Sequence, residues 1–396
     1  MKNFSSYFEV DYMDNKKLHM DSLAVHGALG TEPLTGAVSM PIFLSSTYRH
    51  PELGKTTGFA YSRLENPTRL ELERTIALLE GGNRGFAFSS GQAASMAVFS
   101  LLSQGDHVIL SDDIYGGTYR IAADILNRYG ITASFADMSN LDMVEAAVRE
   151  NTKMIFLETP SNPMMKVADI QVISELAGRI GAVTVVDNTF LSPYFQKPLL
   201  LGADIVTHSA TKYLCGHNDT IAGMVVVKNS EKLSDRIYTY IKSSGSQLAP
   251  MDCWLVLRGM KTLAVRMEKH NDNAKRIADW LRNQKKVSKV YYIGFKNHES
   301  YAVTKKQSSG FGGMISFETD SVETVKRILK NVDMVMFAES LGGTETLITY
   351  PVTQTHVDIP VEMKERLGIN DCLLRLSVGI ENADDIIDDL DRAMNG

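Results

Sequence analysis

Long apolar runs are absent. No stretch of the 396-residue chain approaches the roughly 18 consecutive apolar residues that a membrane-spanning helix needs. Cysteine is scarce: Cys215, Cys253 and Cys372 are too few and too scattered for a disulfide framework. Positive charge is not in excess. A formal net charge of -6 argues against a nucleic-acid partner, which ordinarily meets a basic face. The opening "MKNFSSYFEVDYMDNKKLHM" is polar and has no apolar secretion core, so the chain reads as cytosolic with reduced thiols. Neither G-x-G-x-x-G nor G-x-x-x-x-G-K-[ST] occurs, which removes the usual support for a dinucleotide or nucleoside-triphosphate site. What is present is ordinary: 44% hydrophobic and 22% charged residues, as in a soluble globular protein. The length suits two or three domains. There is no tandem repeat.

Residues 1 to about 60 read as an irregular arm, with short extended pieces such as "SMPIFLSSTY" between Gly and Pro signals. An alternation follows. "LELERTIALLEG", "GQAASMAVFSLLSQG" and "TYRIAADILNRYG" have helical patterning, as do 141–149 and 171–179. "GFAFSS", "HVILSDD", "TASFAD", "MIFLETP", "AVTVVDNTF", "ADIVTHS" and "AGMVVVK" are short apolar strands. Strands alternating with helices imply an α/β fold with a mainly parallel sheet covered on both faces. Near residue 250 the texture changes to one long helical stretch, with Gly259 as its break, and then to a mixture that suggests a smaller α/β domain.

In open parallel sheets functional groups gather beyond the carboxyl ends of the strands. There the sequence places Ser89, Ser90, Asp112, Asp113, Glu158, Asp187, Asn188, His208, Ser209 and Thr211, with Lys212 directly after. "FAFSSGQAASM" is a strand, a small-residue turn and a helix start, and a helix N-terminus at Gly91 and Gln92 favours an anion. Asp187 ends a buried strand, where a carboxylate costs desolvation unless a positive partner meets it. Asp187 and Lys212 read either as a structural ion pair or as two groups facing one ligand. A lysine of lowered pKa attacks carbonyls, and an aspartate can keep a pyridine nitrogen protonated. With Ser209 and Thr211 hydroxyls suited to a phosphate, the second reading specifies pyridoxal 5'-phosphate (PLP). Cys215 and His217 lack the second ligand pair of a zinc site, so no metal is expected.

Many motifs occur in one order: "YSRLENPT", "SSGQAA", "SDDIYGGTYR", "ETPSNP", "VVDNTF", "HSATKY", "GHND", "WLVLRGMKTL", "AESLGG", "PVTQTH" and "RLSVGIE". From about Leu23 to the C-terminus the chain resembles the Cys/Met-metabolism family of PLP enzymes, the cystathionine γ-synthase and lyase family. The resemblance implies a PLP-dependent transferase fold of type I. Its parts would be an N-terminal arm over 1–62, a PLP-binding domain over 63–258 and a smaller substrate-closing domain over 259–396. It assigns Lys212 as the lysine that binds the cofactor covalently and moves protons. Asp187 is the partner of the pyridine nitrogen, and Tyr115 the ring stacked on the cofactor. Gly91, Gln92, Ser209 and Thr211 form the phosphate cradle. Tyr61 and Arg63 reach the phosphate of a neighbouring subunit, which implies a homo-oligomer, a tetramer built as two dimers. Arg375 grips the substrate carboxylate, helped by Asn162 and Ser340, and Glu339 faces the distal ammonium of cystathionine. Gln92 replaces a frequent Met or Leu, and Cys215 replaces a glycine. Gly117 stands where methionine γ-lyases carry a cysteine. The favoured activity is cystathionine cleavage by β- or γ-elimination in sulfur amino-acid metabolism. The alternative is γ-replacement on an O-acylhomoserine, and a nucleotide-binding oxidoreductase is the remote one.

Overall fold

This computed structural model describes residues 18–32, 34–357 and 359–396. The first seventeen residues of the expected arm lie outside them. Seven strands come first: β1 (Arg84–Phe88), β2 (His107–Ser111), β3 (Thr132–Ala136), β4 (Thr152–Glu158), β5 (Val183–Asp187), β6 (Ile205–Ser209) and β7 (Gly223–Val227). Five more follow: β8 (Val287–Tyr291), β9 (Met314–Thr319), β10 (Met336–Phe337), β11 (Leu347–Thr349) and β12 (Leu373–Ser377). The first seven form one sheet in the order β1-β7-β6-β5-β4-β2-β3, and the last five form a second in the order β10-β11-β12-β9-β8. β2 runs parallel to β3 and β4, and β4 parallel to β5, while β1 and β7 are antiparallel. The larger sheet is therefore the mainly parallel one that the alternation of strands and helices predicts. Its strands β2 and β7 are buried along their whole length, as strands covered on both faces must be.

The chain groups into two compact units, one running to Leu101 and including Thr207–Ala264, the other made of Leu102–Val206 and Val265–Gly396. In the first, the helix Pro67–Glu80 starts as its sequence dictates. The Asn66 side chain accepts from the N–H groups of Thr68 and Arg69, Pro67 takes the first helical position, and the helix ends at a left-handed Gly81. In the second, the smaller sheet packs Ile315, Phe317, Ile348, Leu374 and Leu376 against Ile277 and Leu281 of the helix Leu263–Leu281. Ile386 and Leu390 of the C-terminal helix Ala383–Asn395 complete this core.

Two local readings change and a third is sharpened. A seven-residue helix, Met20–His26, lies within the stretch read as irregular. The helical pattern over 118–130 divides into an α-helix, Gly116–Arg120, and a π-helical turn, Ile121–Leu126. The long helical stretch after 250 becomes two helices, Pro250–Met260 and Leu263–Leu281, divided just after Gly259.

Candidate active site

In the first unit, β1 delivers Ser89 and Ser90 to the start of the helix Gly91–Phe99. The Ser90 hydroxyl caps that helix by accepting from the Ala93 N–H at 3.1 Å. Gly91 has no side chain for a steric reason: a Cβ there would sit 3.0 Å from Ser209 Cβ and 3.2 Å from Ser209 Oγ. The helix start and the end of β6 are thus in direct contact, and the Ser209 hydroxyl lies beside the positive end of the helix. After Ser209 the chain turns tightly. The Lys212 N–H donates to Ser209 O at 3.2 Å, Cys215 N–H to Ala210 O at 3.0 Å, and Gly216 N–H to Lys212 O at 2.7 Å. Ala222 holds this turn from the side, donating its N–H to Thr211 Oγ1 at 3.0 Å. Lys212 is half-buried within it. Gln92 occupies the first turn of the helix.

His208 is buried, and its Nε2 lies 2.6 Å from Glu80 Oε1. Cys215 is also buried and donates to Asp219 Oδ1 at 3.0 Å, while His217 Nδ1 meets Cys215 O at 2.7 Å. Among the described residues, no three His, Cys, Asp or Glu side chains are disposed to hold a metal ion. Arg63 is exposed, with its guanidinium 5.5 Å from the centroid of the Tyr61 ring. Its Nη1 also donates to Lys242 O.

In the second unit, β5 ends at Asp187. Oδ1 of this half-buried carboxylate accepts from the Thr189 N–H at 3.0 Å and the Thr189 hydroxyl at 2.5 Å. Glu158, at the end of β4, is its register partner on the neighbouring strand. Glu158 Oε2 accepts from the Tyr115 N–H at 3.0 Å. Burial, joined by the like charge of Asp187, drives the Glu158 carboxyl well above its ordinary range. Tyr115 begins the helix Gly116–Arg120 and leaves 41% of its surface exposed.

Arg375 sits in β12 between Thr349 of β11 and Ser316 of β9, and is 2% exposed. Its Nη1 donates to Asn162 Oδ1 at 2.8 Å. Its Nη2 donates to Ser340 O at 2.9 Å and Thr349 Oγ1 at 3.2 Å. Ser340 turns that carbonyl from a left-handed backbone, φ 97°, which a serine rarely adopts and which marks a constrained site. The structure therefore gathers Arg375, Asn162 and Ser340 through the Ser340 backbone, while Glu339 beside them is exposed. A guanidinium oriented by neutral acceptors is suited to a carboxylate, which it can take in a two-pronged bond. In the first unit, a helix N-terminus, the Ser209 and Thr211 hydroxyls and a lysine suit a phosphate monoester joined to a carbonyl.

Residue reasoning gave Glu158 no role, although strand-end logic had picked it out. Thr349 and His356 were missed as companions of Arg375 and Asn162, because their contacts join segments far apart in sequence.

The chain is 52% identical over 370 residues to the cystathionine beta-lyase of Lactococcus lactis subsp. cremoris (strain MG1363), covering 93% of this chain and 97% of the relative. It is 48% identical over 373 residues to the cystathionine gamma-lyase of Bacillus subtilis (strain 168), covering 94% and 98%. The solved structure of cystathionine gamma-lyase from Lactobacillus plantarum complexed with L-serine superposes with a TM-score of 0.92 at 44% identity, covering 95% of this chain and 98% of that one. Residues 21–395 match one family model, and the chain belongs to the Cys/Met metabolism PLP-dependent enzymes.

Proposed function

We propose that this PLP-dependent enzyme is a cystathionine lyase, cleaving a carbon–sulfur bond by β- or γ-elimination. The observation that carries an amino-acid substrate is the Arg375 clamp, a buried guanidinium aimed by Asn162 Oδ1 and Ser340 O. Kinship with β- and γ-lyases of cystathionine supports the substrate.

The residues fit the cofactor. Gly91, Gln92, Ser209 and Thr211 would hold its phosphate, since a Cβ on Gly91 would crowd the Ser209 side chain and glycine keeps the helix start against it. Lys212 would anchor it covalently, and Asp187 would hold a proton on the pyridine nitrogen. When bound, PLP supplies an electron sink for charge released at the substrate's Cα. Arg375 would bind the substrate carboxylate and so hold the orientation of its Cα. Lys212, as a free amine, removes the α-proton. Tyr115 would lie against the cofactor ring, where its hydroxyl could exchange a proton with the departing sulfur. Its backbone N–H donates to Glu158 Oε2, which fixes where the Tyr115 side chain starts. Glu339 would meet the distal ammonium of cystathionine.

We also infer a cytoplasmic homo-oligomer, a dimer at least and a tetramer as two dimers. Tyr61 and Arg63 would serve the neighbouring subunit's site, and their exposure and stacking support this reading. The arm (1–62), PLP domain (63–258) and substrate-closing domain (259–396) remain our functional assignment.

Product analysis with cystathionine tests the reaction. Pyruvate with homocysteine identifies a β-lyase, and 2-oxobutyrate with cysteine a γ-lyase. New cystathionine from an O-acylhomoserine and cysteine, without cleavage, would overturn the lyase reading in favour of γ-replacement.

A further inference from the structure

Asn162 is held at two points. Its side-chain Oδ1 accepts from Arg375 Nη1 at 2.8 Å, and its backbone carbonyl lies 2.9 Å from His356 Nε2. A carbonyl only accepts, so Nε2 carries the proton. Nδ1 is then the acceptor for the Thr355 hydroxyl, 2.7 Å away. The chain of bonds runs from the Thr355 hydroxyl through the imidazole to Asn162 and on to Arg375. His356 has no exposed surface. Burial, with the nearby positive charges of Arg375 and Lys364, lowers its pKa to about 4, against the pull of the Asn162 carbonyl. The ring is therefore neutral at physiological pH, and its tautomer is set by its two partners.

Residues on either side of Asn162 are tied elsewhere. Ser161 Oγ donates to Asp113 Oδ2 at 2.5 Å, and the Met164 N–H reaches the same oxygen at 3.1 Å. Ser316 Oγ donates to Pro163 O at 2.6 Å. These bonds hold the loop, but His356 grips the peptide of Asn162 itself. The same segment abuts the start of the Tyr115 helix: a Cβ on Gly116 would lie 2.6 Å from Thr355 O.

We propose that His356 is a positioning residue for the substrate-carboxylate site, holding the Asn162 peptide so that the Asn162 amide oxygen aims Arg375. The proposal rests on the reading that Arg375 binds the substrate carboxylate. A buried carbonyl left without its donor costs enough to shift a binding constant by roughly tenfold.

The test uses cofactor-loaded enzyme and two readouts: glycine affinity, titrated by the cofactor's visible absorbance, and kcat and KM for cystathionine. His356→Leu is expected to weaken glycine binding and raise KM by roughly tenfold, with kcat changing less than about threefold. His356→Gln, whose amide N–H can reach the Asn162 carbonyl, is expected to recover most of both losses. A folded His356→Leu enzyme with unchanged glycine affinity and KM overturns the proposal, as does a loss confined to kcat. Arg375→Lys separates the two ideas. If it weakens glycine binding while His356→Leu does not, only the His356 role fails. If neither variant weakens binding, the carboxylate reading fails with it. Should His356→Leu not fold, His356→Asn replaces it, since its shorter amide reaches Thr355 but not the Asn162 carbonyl. The same loss of glycine affinity supports the role, and no loss overturns it.

Discussion

Lys212 illustrates what a single residue can and cannot disclose. Its chemistry is that of an amine, and the turn around it is built from local backbone bonds: its N–H to Ser209 O, and Gly216 N–H to its own carbonyl. Both features depend on neighbours in sequence, which is why the motif reads so clearly. Lys212→Ala removes the amine without touching those backbone bonds. We expect it to fold normally and to lose at least about a thousandfold in turnover, the scale of a missing acid–base group. Retention of more than about one per cent of activity would remove Lys212 from the proton-transfer role. Glu158 is the opposite case. A glutamate at a strand end was visible, but its state depends on Asp187 across the strand register and on the Tyr115 N–H, neither of which is local.

Elements were legible where their patterns are local. The helix Pro67–Glu80 shows its cap, its N1 proline and its terminal glycine in sequence. It also hides an electrostatic cost. Glu73 points into a largely buried space, 3.4 Å from Arg69 Nε, with 14% of its side chain exposed. Burial raises its pKa from 4.5 to about 7, opposed by Arg69 and reinforced by Glu65. The folded protein holds this proton more tightly than the unfolded chain. Its stabilising contribution is thus complete below pH 4.5 and is lost as pH rises through about 7. Glu73→Gln cannot lose that proton. Urea melts at pH 5 and pH 8 should therefore show the variant gaining on the parent by roughly 2–3 kcal/mol across that interval. A difference that does not change with pH would contradict the shifted titration. After residue 250, Gly259 marks the break, but its exact place was less legible, because Lys261 and Thr262, which divide the two helices, have no strong breaking tendency of their own.

For the whole molecule, the open matter is how many chains complete one site. Tyr61 and Arg63 are exposed, with the guanidinium over the Tyr61 ring and Nη1 donating to Lys242 O. If they serve a neighbour, hybrids refolded from Arg63→Ala and Lys212→Ala chains should regain activity, although each parent is inactive. One of the two sites in such a hybrid then has an intact lysine and an intact arginine. Absence of recovery in hybrids of verified composition would sink the shared site. Light scattering on the same preparations reports the dimer or tetramer directly. No helix among the described residues is long and apolar enough to cross a membrane, which agrees with the absence of long apolar runs in the sequence.

The sequence by itself determined the strand–helix alternation, the family and the chemical types of the site residues. Each of these is written in short spans: apolar runs of five to seven residues, capping residues, and motifs such as "HSATKY". Only the tertiary structure decided that Arg375 meets Asn162 from 213 positions away and that His356 holds the same asparagine from 194 away. It also decided that burial and the like charge of Asp187 drive the Glu158 carboxyl well above its ordinary range. Those facts follow from strand register and burial, which set distances and desolvation between segments that no local pattern connects.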